Sequence, residues 1–199
     1  MLLMCIFIIL LFRKIIKKIF SRYEYHSLFR SFFCSFISTL SIASSIINWN
    51  LLLTNPIDNN NLSFIINNLM LAYMIIDTSY FLSKKNYRVE LIIHHLICLF
   101  IYGFYRDKCI LSFCSINEIL SSFNWIGIIY PNLEWVSKLF RLYSIVFIRL
   151  FVWVFTLLFL YKLDYIFQFA CVFIFAFICL DIYWSWIILS NYLKLFKII

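Results

Sequence analysis

The feature that most constrains this chain is its hydropathy pattern, in which long apolar segments follow one another with only short polar or basic stretches between them. Hydrophobic residues make up 65% of the 199 residues, which is more apolar surface than one soluble core of this size can bury. A lipid bilayer provides the missing burial. Because most segments approach the ~20 residues that a helix needs to cross the hydrocarbon core, the sequence predicts an all-α, multi-pass membrane protein.

The apolar segments predict about seven transmembrane helices. They cover approximately residues 1–20, 31–53, 62–83, 89–105, 109–128, 142–161 and 165–192. The first is predicted to be an uncleaved N-terminal membrane helix, since no basic residues precede it and no small-residue cleavage site follows it. Residues 21–193 are then the main domain and residues 194–199 a short basic tail. Both prolines and both glycines fall outside the helices or near their ends, so uninterrupted helices are expected.

The basic residues are divided unevenly between the connecting segments. Thirteen Lys or Arg lie in one set (13–30, 84–90, 129–141 and the C-terminal tail), against three in the alternate set. By the positive-inside rule, the richer set and the C-terminus are expected in the cytosol and the N-terminus in the lumen. The net charge of +8 is therefore interpreted as a signal for membrane orientation, and no nucleic-acid partner is expected. The sequon at Asn61 lies close to the third helix, which argues against its glycosylation.

Ionisable residues recur at one depth, in the cytosolic half of the predicted bilayer. With a rise of about 1.5 Å per helical residue, five helices contribute to this layer. Its members are Asp77, His94, His95, Glu118, Arg149 and Asp181. Charges at such depth must pair or line a wet cavity, and they are functional candidates by default.

The members of this layer have alternative interpretations. Arg149 is interpreted as a structural counter-ion for Asp77, Glu118 or Asp181, and Asp181 as either a member of the layer or an interfacial residue. Adjacent histidines on a helix project about 100° apart, so one is expected to line a cavity and the other to hydrogen-bond a neighbouring helix.

We favour His94 as the functional histidine, because Glu90 stands one turn earlier and can orient its ring. His26 falls in a predicted basic loop and is expected to be solvated. Three histidines in all are too few for a membrane di-iron site, and the seven cysteines show no metal-ligand spacing, so no metal is expected. The cysteines are interpreted as reduced packing residues. Gly-rich phosphate-binding loops are absent from the sequence, and no cofactor is predicted.

Five short motifs on successive predicted helices resemble the TLC-domain family, which includes ceramide synthases, translocon-associated membrane proteins and lipid-homeostasis proteins. The motifs are AYMIIDTSY (72–80), ELIIHH (90–95), NEILSSFNW (117–125), FIR (147–149) and LDIYW (180–184). The resemblance covers about residues 20–193 and implies a helical barrel around a lipid tunnel that opens toward the cytosol. The residues that would line this tunnel are Glu90, Asn117, Ser121, Ser122, Asn124, Arg149, Asp181 and Trp184.

The resemblance implies two alternative functions. One is lipid binding, with a role in membrane lipid homeostasis, sensing or trafficking in the endoplasmic reticulum or another endomembrane. The other is ceramide-synthase-like transfer of an acyl group from acyl-CoA, as substrate, to a sphingoid base. The catalytic residues would be His94 and His95 as general base or nucleophile, with Glu118 and Asp77 as partners.

The ceramide synthases carry a His-Asp pair and a second Asp on the helix after the histidines. This sequence has Asn117-Glu118 and then Ser121, so the second carboxylate is missing. The departure favours lipid binding over acyl transfer. The expected partner is a membrane lipid, and a second copy of the chain or another membrane protein is an additional candidate.

Overall fold

The computed structural model describes residues 1–58, 60–83, 89–160 and 165–195. Regular structure within these ranges is helical, without a β-strand, and the predicted all-α class is confirmed. Among the described residues, five helices are long and apolar enough to cross a membrane: Tyr25–Ile47, Asn61–Leu82, Cys109–Ile129, Pro131–Phe159 and Cys171–Asn191. Val89–Tyr105 is apolar but shorter. These helices are compatible with an integral membrane protein, and they provide five candidate spans where the sequence predicts about seven.

The first of two compact units comprises residues 1–21 and 36–116. It contains α1 (Leu2–Ile19), the second half of α2 (Tyr25–Ile47), α3 (Trp49–Thr54), α4 (Asn61–Leu82), α5 (Val89–Tyr105) and α6 (Cys109–Cys114). The central helix is α4, which packs against α1, α5 and α6. Every residue of α4 from 66 to 74 is buried, as expected for a helix that is surrounded by others on all sides.

The start of α4 is fixed by Asn60. Its side-chain oxygen accepts hydrogen bonds from the N–H groups of Leu62 and Ser63, at 2.9 and 3.1 Å, which satisfies two of the backbone donors that a helix leaves open at its first turn. The Asn60 amide also donates to Asn48 Oδ1 at 2.8 Å. Ser63 itself is fully buried, with its hydroxyl 3.0 Å from that of Ser112.

The second unit comprises residues 22–35 and 117–199. It contains the first half of α2, then α7 (Ile119–Ser122), α8 (Asn124–Ile129), α9 (Glu134–Tyr143), α10 (Leu150–Leu160) and α11 (Tyr165–Leu195). A π-helical segment, Ser144–Arg149, joins α9 to α10 without a break. The long helix α11 packs against α9, α10 and the π-helical segment.

The prediction of uninterrupted helices is wrong within Cys109–Ile129. After α6 the chain forms a 3₁₀ turn at Ser115–Glu118, and a further break at Phe123 separates α7 from α8. The Ser31 hydroxyl stabilises this second break, since it donates to Ser121 O at 2.7 Å and accepts from the Trp125 N–H at 3.0 Å. A side-chain hydroxyl from α2 thus replaces hydrogen bonds that a regular helix would make internally.

The prediction of a loop at 129–141 is also wrong, because residues 131–133 form a 3₁₀ turn and α9 follows directly. The Lys138 ammonium lies 3.0 Å from the Glu134 carboxylate, one helical turn earlier. Polar residues at this spacing on one side, with Trp135 and Leu139 on another, form an amphipathic helix. Together with α10 this segment makes the 29-residue candidate span Pro131–Phe159.

The prediction that His26 is solvated in a loop is also wrong. The second helix begins at Tyr25 and not near residue 31, so His26 lies in its first turn, 1% exposed, with its ring 5.8 Å from that of Phe29. Three further predictions fall at least partly outside the described residues: the basic turn at 84–88, the turn at 162–164 and the end of the C-terminal tail, 196–199.

Candidate functional site

A buried polar cluster joins α4 to α5 in the first unit. We call it the histidine cluster, and it consists of Asp77, Thr78, His94 and His95. The exposed fractions of Asp77, Thr78 and His95 are 0%, 6% and 2%. His95 Nε2 lies 3.5 Å from Asp77 Oδ2, and His95 Nδ1 lies 3.2 Å from the Thr78 hydroxyl. Both nitrogens of this ring therefore face polar groups on the adjacent helix, which determines how the ring is oriented.

Asp77 also receives the hydroxyl of Tyr73, which donates to Oδ2 at 3.4 Å. Tyr73 and Asp77 are four residues apart on α4 and so share a face of the helix. A buried carboxylate without such partners would cost several kcal/mol. The tyrosine and the histidine together reduce that cost, and they leave an acid beside a titratable base.

His94 makes a different contact from its neighbour. Its Nε2 lies 3.7 Å from Cys98 Sγ, one turn further along α5, and both residues are 6% exposed. The two imidazole rings are 5.7 Å apart at an angle of 54°. As the 100° separation predicts, one histidine, His95, bonds a neighbouring helix. The contact between His94 and Cys98 was not predicted from the sequence, although the two residues are four apart and so share a face of α5. Glu90, in the first turn of α5, is partly exposed.

The second unit contains a buried ion pair. Arg149 Nη1 lies 2.7 Å from Asp181 Oδ1, with the side chains 3% and 0% exposed. Trp153 Nε1 donates to the other oxygen, Asp181 Oδ2, at 2.8 Å. The Arg149 guanidinium also lies 5.7 Å from the centre of the Trp184 ring, a cation–π distance. The predicted counter-ion role of Arg149 is confirmed, and Asp181 is its partner among the three candidates.

The π-helical segment brings Arg149 to this position. Each π turn contains one residue more than an α turn, so side chains after the segment are rotated relative to those before it. Arg149 is the last residue of the segment, and Trp153 follows four residues later on the same face of α10. Both side chains therefore reach the same carboxylate on α11.

The remaining predicted site residues lie in the interrupted helix 109–129. The Glu118 carboxylate accepts a hydrogen bond from the Cys34 thiol of α2 at 3.4 Å. Asn117 is 4% exposed, and neither the oxygen nor the nitrogen of its amide has a hydrogen-bond partner within the described part of the chain. Ser121 and Ser122 contribute carbonyl oxygens to the bonds with Ser31.

Asn124 begins α8. Asp77, His94 and His95 thus belong to the first unit, and Glu118, Arg149 and Asp181 to the second. Nowhere in the described ranges are three or more His, Cys, Asp or Glu residues arranged to hold a metal ion.

Comparisons of the chain with protein-family models, with curated proteins and with solved structures found no match. The resemblance to the TLC-domain family stays a prediction from the five motifs.

Proposed function

We propose that this protein is a multi-pass membrane protein that binds a lipid through polar groups on its helices, and that it takes part in membrane lipid homeostasis, sensing or trafficking. The observation that carries the proposal is the amide of Asn117. It is buried in a candidate span, and both of its ends are unsatisfied within the described residues.

An unsatisfied buried amide costs about 1–3 kcal/mol of stability. A ligand with a hydroxyl or amide group can both donate to the Asn117 oxygen and accept from its nitrogen, and so remove that cost. In a bilayer the abundant molecules with such groups are lipids. A lipid with hydroxyl or amide groups near its head is therefore the ligand that we assign to this position.

The five TLC-like motifs support a barrel of the TLC type around the bound lipid. The division of basic residues between connecting segments supports a cytosolic position for the C-terminus and for the basic end of α1, in the endoplasmic reticulum or another endomembrane. A second copy of the chain or another membrane protein is a candidate partner in that setting.

The test is mass spectrometry of the lipids that co-purify with the protein in mild detergent. Asn117→Leu should lose most of the bound lipid while the folded protein keeps its thermal stability, because replacing an unsatisfied buried polar group with an apolar one of similar size is close to neutral.

The matched control is Asn67→Leu. The Asn67 amide donates to the carbonyl oxygens of Arg106 and Lys108, at 2.9 and 3.0 Å, so its loss should lower stability by about 1–3 kcal/mol and leave the lipid content of the folded protein unchanged. Bound lipid that persists in Asn117→Leu at the wild-type level would refute the proposal.

A second candidate function is the acyltransferase activity, and the contact between His95 and Asp77 favours it. A histidine that is oriented by a carboxylate can accept the proton of an attacking amine at neutral pH. In this reaction the amine nitrogen of a sphingoid base bonds to the acyl carbon of acyl-CoA, and the CoA thiolate leaves with a proton.

The test is incubation of purified protein with acyl-CoA and sphingoid base, followed by detection of ceramide. If the candidate is correct, His94→Ala or His95→Ala abolishes product formation, whereas the lipid content in the absence of substrate is set by Asn117. Wild-type protein that forms no product would exclude the enzyme and leave the lipid-binding proposal standing.

A further inference from the structure

The exposed face of α1 is apolar in the first part of the helix and basic in the last part. Its first part exposes large apolar side chains, with Leu3 82% and Phe7 68% exposed. Its last part carries four basic residues, Arg13, Lys14, Lys17 and Lys18. At about 100° per residue these four lie within an arc of about 140°, and Leu3 and Phe7 project into the same arc. One face of α1 is thus apolar first and basic afterwards.

The opposite side of α1 is already used for packing. Cys5, Ile9 and Ile16 are buried, and α1 contacts α4. The three lysines are exposed, and Arg13 is partly exposed. The three lysines therefore lie on the side that faces away from the packed helix, where a ligand can approach them, and Arg13 lies at the edge of that side.

Arg13 also relates this basic face to the end of α4. Its guanidinium carbon lies 5.4 Å from the centre of the Tyr80 ring, in the last turn of α4. Tyrosine is enriched where transmembrane helices meet the headgroup region. The change from apolar to basic side chains on α1 therefore lies beside a tyrosine of α4. Both features indicate that this part of the protein lies at the boundary between hydrocarbon and headgroups.

We propose that Arg13, Lys14, Lys17 and Lys18 form a binding site for the headgroup phosphates of anionic phospholipids. The apolar side chains of α1 insert among the acyl chains, and the apolar residues 2–12 are about 16 Å long, close to the depth of one leaflet. The basic residues then lie at the depth of the phosphates. Because the C-terminal end of a helix carries a negative partial charge, the attraction comes from the side chains themselves. Clusters of four or more basic residues beside a membrane helix attract anionic lipids in this way.

The apolar surface next to the basic residues indicates which class of ligand binds them. A nucleic acid or an acidic soluble protein would need the basic face in open water, whereas here the same face continues into exposed Leu and Phe side chains. A phospholipid can place its phosphate against the basic residues and its acyl chains against the exposed Leu and Phe side chains. The site is independent of the lipid that we assign to Asn117, which lies in the other unit.

The experiment measures binding of fluorescent phosphatidylserine and of fluorescent phosphatidylcholine to the full-length protein in mixed detergent micelles. The test variant replaces Lys14, Lys17 and Lys18 with Gln. We expect its affinity for phosphatidylserine to fall by about tenfold or more, with no change for phosphatidylcholine.

The control removes three positive charges elsewhere, through Arg106→Gln, Lys108→Gln and Lys138→Gln. Lys108 and Lys138 already lie 3.2 and 3.0 Å from carboxylate oxygens, and the control should stay within about twofold of wild type. An equal loss in both variants would show that net charge alone acts and would overturn the site.

A measurement on the wild-type protein tests the proposal even if the triple variant does not fold. Phosphatidylserine binding to wild type should weaken steadily between 50 and 500 mM NaCl, since exposed charges are screened by salt. Binding that does not change with salt would overturn the proposal regardless of how the variants behave.

Discussion

Each unit buries an acid against a basic side chain, and the two contacts differ in partner and in distance. In the second unit Asp181 lies 2.7 Å from Arg149 and accepts a hydrogen bond from Trp153. In the first unit Asp77 lies 3.5 Å from His95, and its bond from Tyr73 is 3.4 Å long.

The chemical difference between the partners explains what each contact can do. Arginine presents a rigid array of donors to a carboxylate, so its contact with Asp181 serves mainly the fold. Histidine changes its charge near neutral pH, so the Asp77–His95 contact can change with proton or ligand binding. Substitutions of Arg149 and Asp181 should therefore act mainly on stability, and substitutions in the histidine cluster mainly on function.

The largest effect is expected for Arg149→Met. This change leaves Asp181 buried without its counter-ion and should lower the free energy of unfolding by about 3–5 kcal/mol. The measurement is thermal or denaturant unfolding in mild detergent. Adding Asp181→Asn should restore most of the lost stability, because the uncompensated charge is then removed.

Asp77→Asn is the control for this series. Added to Arg149→Met, it should restore nothing, since the contact of Asp77 is with His95 in the other unit. If Asp77→Asn rescued the protein and Asp181→Asn did not, the assignment of the two pairs would be wrong.

A smaller effect is expected for Trp153→Phe. The change removes the hydrogen bond from Nε1 to Asp181 while an aromatic ring still stacks against Phe177, whose centre is 5.1 Å away. A hydrogen bond to a charged group contributes about 1.5–3 kcal/mol, and unfolding should show a loss of this size.

Trp184→Phe provides the comparison, because Trp184 is similarly buried, at 8% exposed, and a phenyl ring keeps an aromatic face toward Arg149. It should cost less than Trp153→Phe. Equal losses for the two variants would mean that ring volume, and not the bond to Asp181, determines the result.

The smallest effect on stability is expected in the histidine cluster, for Thr78→Val. This nearly isosteric change removes the hydroxyl that faces His95 Nδ1 and should cost about 1 kcal/mol. It should also lower any acyltransferase turnover, because the ring of His95 then loses one of the groups that orient it. Thr156→Val is the matched buried control, since the Thr156 hydroxyl donates to Val152 O within its own helix. If Thr78→Val matched Thr156→Val in stability and in turnover, orientation of His95 by Thr78 would be refuted.

Several features of the site could be predicted from the sequence, because they depend on local periodicity. The counter-ion role of Arg149 follows from the cost of an isolated charge in an apolar segment. The different contacts of His94 and His95 follow from the 100° between successive residues. The sequence could not predict that Asp181 is the partner of Arg149. This depends on which helices are neighbours and on the rotation that the π-helical segment introduces before Arg149.

The sequence by itself determined the helical class and the presence of apolar segments long enough to cross a membrane, since these depend on the composition of continuous stretches. It also determined that charges within those stretches need partners. Only the tertiary structure decided where helices break, because the break at Phe123 depends on a hydroxyl from Ser31, some 90 residues away. The tertiary structure likewise decided that His26 is buried and that the Asn117 amide has no hydrogen-bond partner among the residues described. Burial and hydrogen bonding of a side chain are properties of its neighbours in space, and those neighbours come from distant parts of the chain.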